Sequence, residues 1–364
     1  MNRLLWMLVA LLSLAACTED TEYTAGVWYR RSDFDGVARM DAAGFTIGNK
    51  GYLCGGYRGS KKERLKDLWE YHIDNDWWTQ CEDMPDEAIA RNAATGFAVG
   101  TKGYIVGGYD KDANDYLDDC WEYDPATGNW KQMDPFGGGA RMYALGFGIG
   151  NYGYVGTGYN DNYLKDFYQF DPSAASGSQW TIINGFGGQK RQGGMVFVID
   201  DIAYICGGEN NNADVYDFWC FDPSQSTPWK QLRDIKDSSD DDYDDDYTSI
   251  VRCYGCAFVI DGKGYIALGQ TSSSSLRSNY WIYDPATDLW DGEDLTDFEG
   301  SSRVKAVCFS TGKRGIVATG GTGTSSSSFY DDTWELKPYE YEEKYKVDRY
   351  WSYCSAVGRR NYLL

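Results

Sequence analysis

The sequence predicts an all-β protein built as a β-propeller, a ring of small four-stranded sheets called blades. Short segments rich in Tyr, Phe, Trp and Val alternate with turns that contain Gly, Asp or Pro, which is typical of strands joined by tight reversals. The four-strand unit recurs about every 50 residues along the chain. One unit cannot bury both faces of so small a sheet, so neighbouring units are expected to stack in a ring.

The first two strands of each unit follow a repeated Arg. In seven places an Arg stands 13 residues before an aromatic or apolar residue of the second strand. The pairs are Arg39/Tyr52, Arg91/Tyr104, Arg141/Tyr154, Arg191/Tyr204, Arg252/Tyr265, Arg303/Ile316 and Arg349/Tyr362. A Phe lies six residues after each of the first six Arg, and these are Phe45, Phe97, Phe147, Phe197, Phe258 and Phe309. We predict that the Phe residues lie in the core and that each Arg anchors the loops of its blade.

Aromatic residues and paired glycines complete the unit. The third strand carries Trp69, Trp121, Tyr168, Trp219, Trp281 and Trp334. The second strand ends at Gly55-Gly56, Gly107-Gly108, Gly207-Gly208 and Gly320-Gly321. This pattern resembles the Kelch repeat over nearly the whole mature chain, and the resemblance implies a ring of four-stranded Kelch blades. It implies no single activity, because Kelch propellers include protein-binding modules, sugar epimerases and an oxidase.

The N-terminal end of the mature chain is predicted to supply one outermost strand. Trp28 stands 11 residues before Arg39, and the same distance separates the fourth-strand Trp from the next Arg in two later units. Residues 27–34 are therefore expected to form the outermost strand of a blade whose other strands come from elsewhere in the chain.

The C-terminal end is predicted to supply the inner strands of that blade. Residues 354–363 match residues 308–317, which are first and second strands. We expect the N-terminal strand to join residues 349–364 in a seventh blade, which closes the ring and removes sheet edges. The alternative is a ring of six blades, in which Trp28 completes the blade of Trp334.

Residues 1–16 are predicted to be a lipoprotein signal peptide. A basic start precedes a short apolar run, and small residues then lead to Cys17. So short a run does not span a membrane in the mature protein, and small residues before a Cys resemble a bacterial lipobox. We expect Cys17 to carry the lipid, residues 17–26 to form a tether and residues 27–364 to form the propeller. The acidic residues after Cys17 indicate an outer-membrane lipoprotein exposed at the cell surface, held to the membrane by its lipid alone.

Charge and histidine content limit the possible functions. The chain has 34 basic and 55 acidic side chains, a net charge of −21, which argues against nucleic acid and anionic membrane surfaces as partners. His72 is the single His, so a Ser-His-Asp triad, a His-rich zinc site and a copper site of the Kelch oxidase type are excluded or disfavoured. We assign no catalytic residue, no metal and no cofactor.

The cysteines are predicted to be packing residues. Nine remain besides Cys17, and their strand positions suit small buried side chains better than a disulfide framework. Cys253 and Cys256 form a lone C-x-x-C. Residues three apart on a strand point to opposite faces, so core packing is favoured over a shared metal.

One long acidic insertion precedes the fifth unit, with its Asp residues at 237–246. Like charges repel, so we predict a solvated, mobile excursion. The alternative is a calcium site, because carboxylates supply hard oxygen ligands.

A candidate binding site lies where the chain enters each first strand. The loops between second and third strands differ in length and chemistry, and variable loops on a rigid scaffold usually carry binding. On the same face, the residue two positions after each repeated Arg also varies. These residues are Asp41, Ala93, Tyr143, Gly193, Tyr254, Lys305 and Trp351. We predict that Asp41, Tyr143, Tyr254, Lys305 and Trp351 bind a ligand at the central mouth. The alternative is that they only fill the channel.

Two functions are compatible with these residues. The first is a surface-tethered module that binds a glycan or a protein. The second is a carbohydrate-modifying enzyme such as a sugar epimerase or mutarotase, with Asp41, Lys305 or a repeated Arg as acid or base. We favour the first, because the sequence pairs no two titratable residues at a known separation. A structural spacer in a surface complex is a third possibility.

Overall fold

The computed structural model describes residues 22–59, 63–323 and 328–343. The named elements in these ranges are antiparallel strands and a short 3-10 helix at Asp242–Asp244. Within these ranges no helix is long and apolar enough to cross a membrane. The described part of the chain begins with strand β1 (Tyr23–Arg31), so the first residues of this strand fall within the segment 17–26.

Six four-stranded sheets follow one another along the chain. Blade 1 contains β2 (Ala43–Ile47), β3 (Lys50–Arg58), β4 (Glu63–His72) and β5 (Trp77–Gln80). Blade 2 contains β6 (Thr95–Val99), β7 (Lys102–Asp110), β8 (Asp115–Asp124) and β9 (Asn129–Gln132). Blade 3 contains β10 (Leu145–Ile149), β11 (Tyr152–Gly156), β12 (Phe167–Phe170) and β13 (Trp180–Ile183).

The remaining blades follow the same order. Blade 4 contains β14 (Met195–Ile199), β15 (Ile202–Cys206), a small hairpin of β16 (Glu209–Asn210) and β17 (Ala213–Asp214), then β18 (Trp219–Phe221) and β19 (Trp229–Gln231). Blade 5 contains β20 (Cys256–Ile260), β21 (Lys263–Ala267), β22 (Tyr280–Asp284) and β23 (Leu289–Asp291). Blade 6 contains β24 (Val307–Ser310), β25 (Gly315–Ala318) and β26 (Thr333–Glu343), and β1 is its fourth strand.

The six first strands line a central channel and close into a ring. Each packs against the first strand of the next blade, and β24 of blade 6 packs against β2 of blade 1. The prediction of an all-β propeller with four-stranded blades is therefore confirmed. The expected count of seven blades is wrong, and the alternative of six is correct.

Ring closure uses the N-terminal strand, but with a different partner from the one expected. β1 pairs with β26, and Trp28 lies opposite Leu336. β26 also pairs with β25 on its other edge, so blade 6 is complete with β1 as its outermost strand. The pairing expected with residues 349–364 is thus replaced by pairing with β26. Residues 349–364 lie outside the described part of the chain.

The core lies between neighbouring blades. The six repeated Phe residues are all buried, as predicted. Phe45 stacks on Tyr52 of its own blade at 4.8 Å between ring centroids, and both belong to a cluster that includes Trp121 of blade 2. A glycine at the start of the second strand makes this packing possible, because a Cβ at Gly103 in β7 would lie 2.1 Å from the Phe45 ring. Each Phe therefore holds the second strand of the following blade at close range.

A loop-face channel mouth as the candidate site

The repeated Arg side chains anchor the face of the ring that carries the loops between second and third strands, which we call the loop face. The Arg39 guanidinium is fully buried. It donates to the Gly55 carbonyl at 3.0 Å and to both carboxylate oxygens of Asp67, one of them at 2.7 Å. This fork-to-carboxylate geometry suits Arg and fixes the loop that follows the second strand. The Arg residues are therefore structural.

The carboxylate partner of each Arg was not predicted, although the sequence contains the signal. An acidic or amide residue stands two positions before each third-strand aromatic. These residues are Asp67, Asp119, Asp166, Asp217, Asn279 and Asp332. Each accepts a hydrogen bond from the Arg of its own blade. In four blades the carboxylate also accepts the indole N–H of the following Trp.

A closed circle of backbone hydrogen bonds forms the channel mouth, which we define as the residues two positions after each Arg in the six blades. They are Asp41, Ala93, Tyr143, Gly193, Tyr254 and Lys305. Each has a positive φ, between 54° and 59°. Each N–H donates to the carbonyl of the mouth residue in the preceding blade, at 2.8 to 3.4 Å. The left-handed turn at each position directs the five side chains, those of all mouth residues except Gly193, into the mouth.

Three predicted site residues meet in one polar cluster. The Lys305 Nζ atom lies 2.6 Å from the Tyr143 hydroxyl and 3.5 Å from Asp41 Oδ2. The Tyr143 hydroxyl in turn donates to Asp41 Oδ2 at 3.2 Å. These residues come from blades 1, 3 and 6, so Tyr143 reaches across the mouth. The cluster closes much of the opening.

The fourth described site residue packs against this cluster. The Tyr254 ring meets the Tyr143 ring edge to face at 4.9 Å, and Lys305 Nζ lies 4.9 Å and 5.0 Å from the two ring centroids. Gly193 makes room for Tyr254, because a Cβ there would lie 2.4 Å from the ring. The Tyr254 hydroxyl donates to Glu209 Oε1 at 2.8 Å. Sequence reasoning missed Glu209, although it directly follows Gly207-Gly208.

Burial and charge set the protonation states at the mouth. Burial, followed by the nearby Asp41 carboxylate, raises the pKa of Tyr143. Burial alone would lower the pKa of Lys305, but Asp41 and Tyr143 outweigh it and the pKa is raised. Burial and the neighbouring Tyr143 and Glu209 raise the pKa of Tyr254 strongly. At neutral pH the mouth therefore holds a lysine cation and two neutral phenols.

One oxygen at the mouth has no partner. Asp41 is only 7% exposed, and its Oδ1 atom is buried without a hydrogen bond. Its Oδ2 atom, by contrast, accepts from Asn92, Tyr143 and Lys305. A buried carboxylate oxygen left unpaired is costly, so a donor that reached Oδ1 would be bound favourably.

Cavities follow the first strands from the mouth to the opposite face. The mouth encloses about 170 Å³, lined by the six mouth residues and the residues that follow them. A second cavity of about 260 Å³ lies deeper among Gly and Ala residues of the first strands. A third of about 270 Å³ opens at the far face beside the repeated Phe residues. The mouth residues therefore separate the loop face from a channel of small side chains.

Tyrosines surround one half of the mouth on the loop face, and we call them the tyrosine arc. They are Tyr57, Tyr109, Tyr116, Tyr159 and Tyr163, all half-buried. Arg64 lies over Tyr57 and beside Tyr109, at 4.2 Å and 5.9 Å from the ring centroids. Tyr109, Tyr116, Tyr159 and Tyr163 then follow in successive ring contacts of 5.1 to 6.2 Å. The arc spans blades 1 to 3.

The acidic insertion folds against blade 5. Carboxylate oxygens of Asp237, Asp244 and Asp245 lie within 4.8 Å of one another. Asp244 is buried, and its two oxygens accept hydrogen bonds from the Ser238 N–H and from the N–H and hydroxyl of Ser239. Asp244 therefore has a structural role in holding this loop.

The remaining predicted sites cannot be placed. Trp351, proposed for the mouth, and Cys17, proposed for lipidation, lie outside the described residues. Cys253 and Cys256 are buried, as core packing requires, and both carry free thiols.

Comparisons with known proteins agree with this architecture. A family model described as the KLHDC2/KLHL20/DRC7 Kelch-repeats domain matches residues 32–191. Kelch domain-containing protein 3 from Homo sapiens is 22% identical over 116 residues, which is 32% of this chain and 30% of that protein. The same protein from Bos taurus matches to the same extent. The chain thus matches less than a third of the length of these curated relatives.

A solved structure resembles nearly the whole fold. It is described as the structure of YjhT, and it is 14% identical to this chain with a TM-score of 0.67. The match covers 83% of this chain and 95% of that one. At this identity the likeness concerns the fold alone. From its strand order the chain is a six-bladed β-propeller, and its repeated Arg and glycine pairs are similar to those of Kelch repeats.

Proposed function

We propose that this propeller is a surface-tethered binding module that holds a glycan or protein ligand over the channel mouth on its loop face. The unpaired Oδ1 atom of Asp41 carries the proposal. It is buried beside a lysine cation and two phenols, and a hydroxyl or amide donor of a ligand that displaced these side chains would satisfy it.

Polar contacts connect the mouth to the tyrosine arc, because Arg64 lies over Tyr57 and donates to Asn92, which in turn donates to Asp41. Tyr254 and Tyr143 lie inside the mouth, and Glu209 links Tyr254 to the rim. Phenol rings beside carboxylates suit either the hydrophobic faces and hydroxyls of a sugar or the side chains and amides of a peptide. Kelch propellers generally bind proteins, which supports the second ligand class equally. Both classes share a need for hydrogen-bond donors toward Asp41.

Tethering follows from the signal at the start of the chain. We propose that Cys17 carries the lipid and that the mature protein is held at the outer membrane, exposed at the surface. The lipid is then its only membrane contact. The net charge of −21 disfavours nucleic acid as a partner.

A sugar epimerase or mutarotase is the second candidate, and one observation favours it. Asp41 Oδ2, the Tyr143 hydroxyl and Lys305 Nζ lie within 3.5 Å of one another. A carboxylate and a proton donor so arranged supply the parts of general acid–base catalysis. They are hydrogen-bonded to each other, however, so they would have to exchange these contacts for contacts to a substrate.

Binding to arrays tests the proposal. We would present the purified full chain to an array of neutral and acidic oligosaccharides and to a display library of peptides. Asp41→Asn is the test variant, because Asn tolerates the left-handed backbone and removes the negative charge. Asp201→Asn is the matched control, since Asp201 has a φ of 61° on an exposed turn of the opposite face.

We expect at least one ligand class to bind and Asp41→Asn to weaken that binding at least tenfold, while Asp201→Asn binds like the natural protein. Equal loss in both variants, or no ligand on either array, would contradict the binding proposal. Anomer exchange of bound sugars, followed by NMR, decides for the enzyme if it is accelerated by the natural protein and not by Asp41→Asn.

A further inference from the structure

We propose that Cys256 and Cys308 form an oxidation site, at which a reversible disulfide joins blades 5 and 6 directly beneath the channel mouth. Cys256 is the first residue of β20, and Cys308 is the second residue of β24. Both thiols are free in the structure. The inference concerns thiol chemistry and stands independently of the proposed ligand.

The repeat geometry brings these two positions together. At two other blade boundaries, a Cβ at the second residue of a first strand would meet the side chain of the first strand residue in the preceding blade. A Cβ at Gly44 would lie 2.2 Å from Val307 Cγ1, and one at Gly146 would lie 2.5 Å from Thr95 Oγ1. These approaches are so close that both positions are glycine. At the boundary between blades 5 and 6, both partners are cysteine.

Contacts of the sulfur atoms agree with this register. Cys308 Sγ lies 3.1 Å from the Ala257 carbonyl, in the residue that follows Cys256. Cys256 Sγ lies 4.0 Å from the Ala306 carbonyl, two residues before Cys308. The neighbouring Cys256 thiol also lowers the pKa of Cys308. Each sulfur therefore lies against the strand that carries the other.

Cys308 is accessible to a small reagent. Cys256 is buried, but Cys308 is only partly buried and lines both deeper cavities of the channel. The thiolate of Cys308 would attack a small organic disulfide, form a mixed disulfide and release one thiol. The thiolate of Cys256 would then attack the Cys308 sulfur and release the second thiol. The protein loses two electrons and two protons, and the reagent is reduced to two thiols.

The bond would act on the candidate site through short backbone connections. Tyr254 stands two residues before Cys256, and Lys305 stands three residues before Cys308. The Lys305 N–H already donates to the Tyr254 carbonyl at 2.9 Å. A disulfide two to three residues farther along these chain segments would fix the separation of blades 5 and 6 at the mouth.

Peptide mapping tests the proposal on the full chain. One sample is treated with 2-hydroxyethyl disulfide and one with a phosphine reductant, and both are then denatured and alkylated. In the oxidised sample we expect the peptides of Cys256 and Cys308 to be linked and two alkylated thiols to be lost. We also expect its thermal midpoint to rise by about 5 °C, because a cross-link restricts the unfolded chain.

Variants separate this pair from other thiols. Cys308→Ser and Cys256→Ser should each abolish the linked peptide and the shift in thermal midpoint, whereas Cys220→Ser should retain both. The mapping of the natural chain needs no variant to fold. If both cysteines are still fully alkylated after oxidation, or if either is linked only to a different cysteine, the proposal is wrong.

Discussion

Asn279 is the residue at which blade 5 departs from the other five blades. It occupies the position where they have Asp, so the buried Arg252 guanidinium meets an amide oxygen at 3.0 Å in place of a carboxylate. Burial, together with nearby Arg277, lowers the pKa of Arg252 to about 9. Trp281 also loses the acceptor that the equivalent Trp has in four blades, and its buried indole N–H is unpaired. With Asn at this position, Arg252 lacks a counter-charge and the Trp281 indole lacks an acceptor.

Exchanging the two side chains between blades tests this account. We expect Asn279→Asp to raise the free energy of unfolding by about 1 to 2 kcal/mol, because it supplies both a counter-charge and an indole acceptor. The reverse change, Asp119→Asn in blade 2, should lower it by about 3 kcal/mol, since it leaves Arg91 buried without its carboxylate. Urea unfolding of the two variants measures both effects. A loss of stability in Asn279→Asp would show that the amide is preferred at this position.

At this scale the sequence predicts which residues share the mouth but not how they interact. Asp41, Tyr143, Tyr254 and Lys305 could be grouped because the register behind the repeated Arg is uniform. The reach of Tyr143 across the axis could not be predicted, because it depends on positive φ angles and on the small residues beside it. The burial of Asp41 depends on the position of the Tyr143 side chain, so it could not be predicted from the sequence either.

Among the elements, β1 depends on one buried carboxylate for its place in blade 6. Glu335 of β26 is fully buried and forms ion pairs with Arg31 of β1, with Arg314 and with Lys337. Burial alone would raise the pKa of Glu335, but these cations outweigh it and lower the pKa to about 2. A carboxylate with a lowered pKa stabilises the folded state above its ordinary pKa of 4.5, and that contribution is lost as the pH falls toward 2.

Acid unfolding should therefore report on the attachment of β1 to blade 6. We expect Glu335→Gln to lose about 3 kcal/mol of stability at neutral pH and to lose less than the natural protein between pH 4.5 and pH 2. Glu340→Gln, an exposed change in the same strand, is the control and should keep the natural pH dependence. The measurement is urea unfolding at a series of pH values. Parallel curves for the natural protein and Glu335→Gln would contradict the assignment.

For β1, the sequence predicts the strand but not its partner. The spacing between Trp28 and Arg39 correctly indicates an outermost strand. It does not indicate which blade receives that strand, because an open edge offers the same backbone groups in every blade. Only the length of β26, which continues to Glu343 and pairs with β1 along its outer edge, decides for blade 6.

For the whole molecule, the architecture was predictable because every blade repeats the same packing problem. The count was overestimated by one, since the match of residues 354–363 to a first and second strand suggested a further blade. The proposed position of the molecule at the cell surface depends on Cys17.

Cell fractionation tests this position. We expect Cys17→Ala to move the protein from the membrane fraction to the soluble fraction, or to leave its signal peptide uncleaved, because acylation requires the thiol. Cys220→Ser should stay with the membranes. Retention of Cys17→Ala in the membrane fraction at the natural level would refute lipid anchoring.

The circle of hydrogen bonds at the channel mouth has a consequence for how new specificities could arise. It is made by main-chain atoms alone, so the circle itself does not depend on which side chains stand at these positions. The left-handed backbone costs a non-glycine residue roughly 1 to 2 kcal/mol. For unbranched residues this free-energy cost is similar at each of the six positions. The residues now at these positions already differ widely in size and charge, as the comparison of Gly193 with Lys305 shows. Evolution, or a library that randomises these positions, could therefore change what the propeller recognises without redesigning the blades that hold it together.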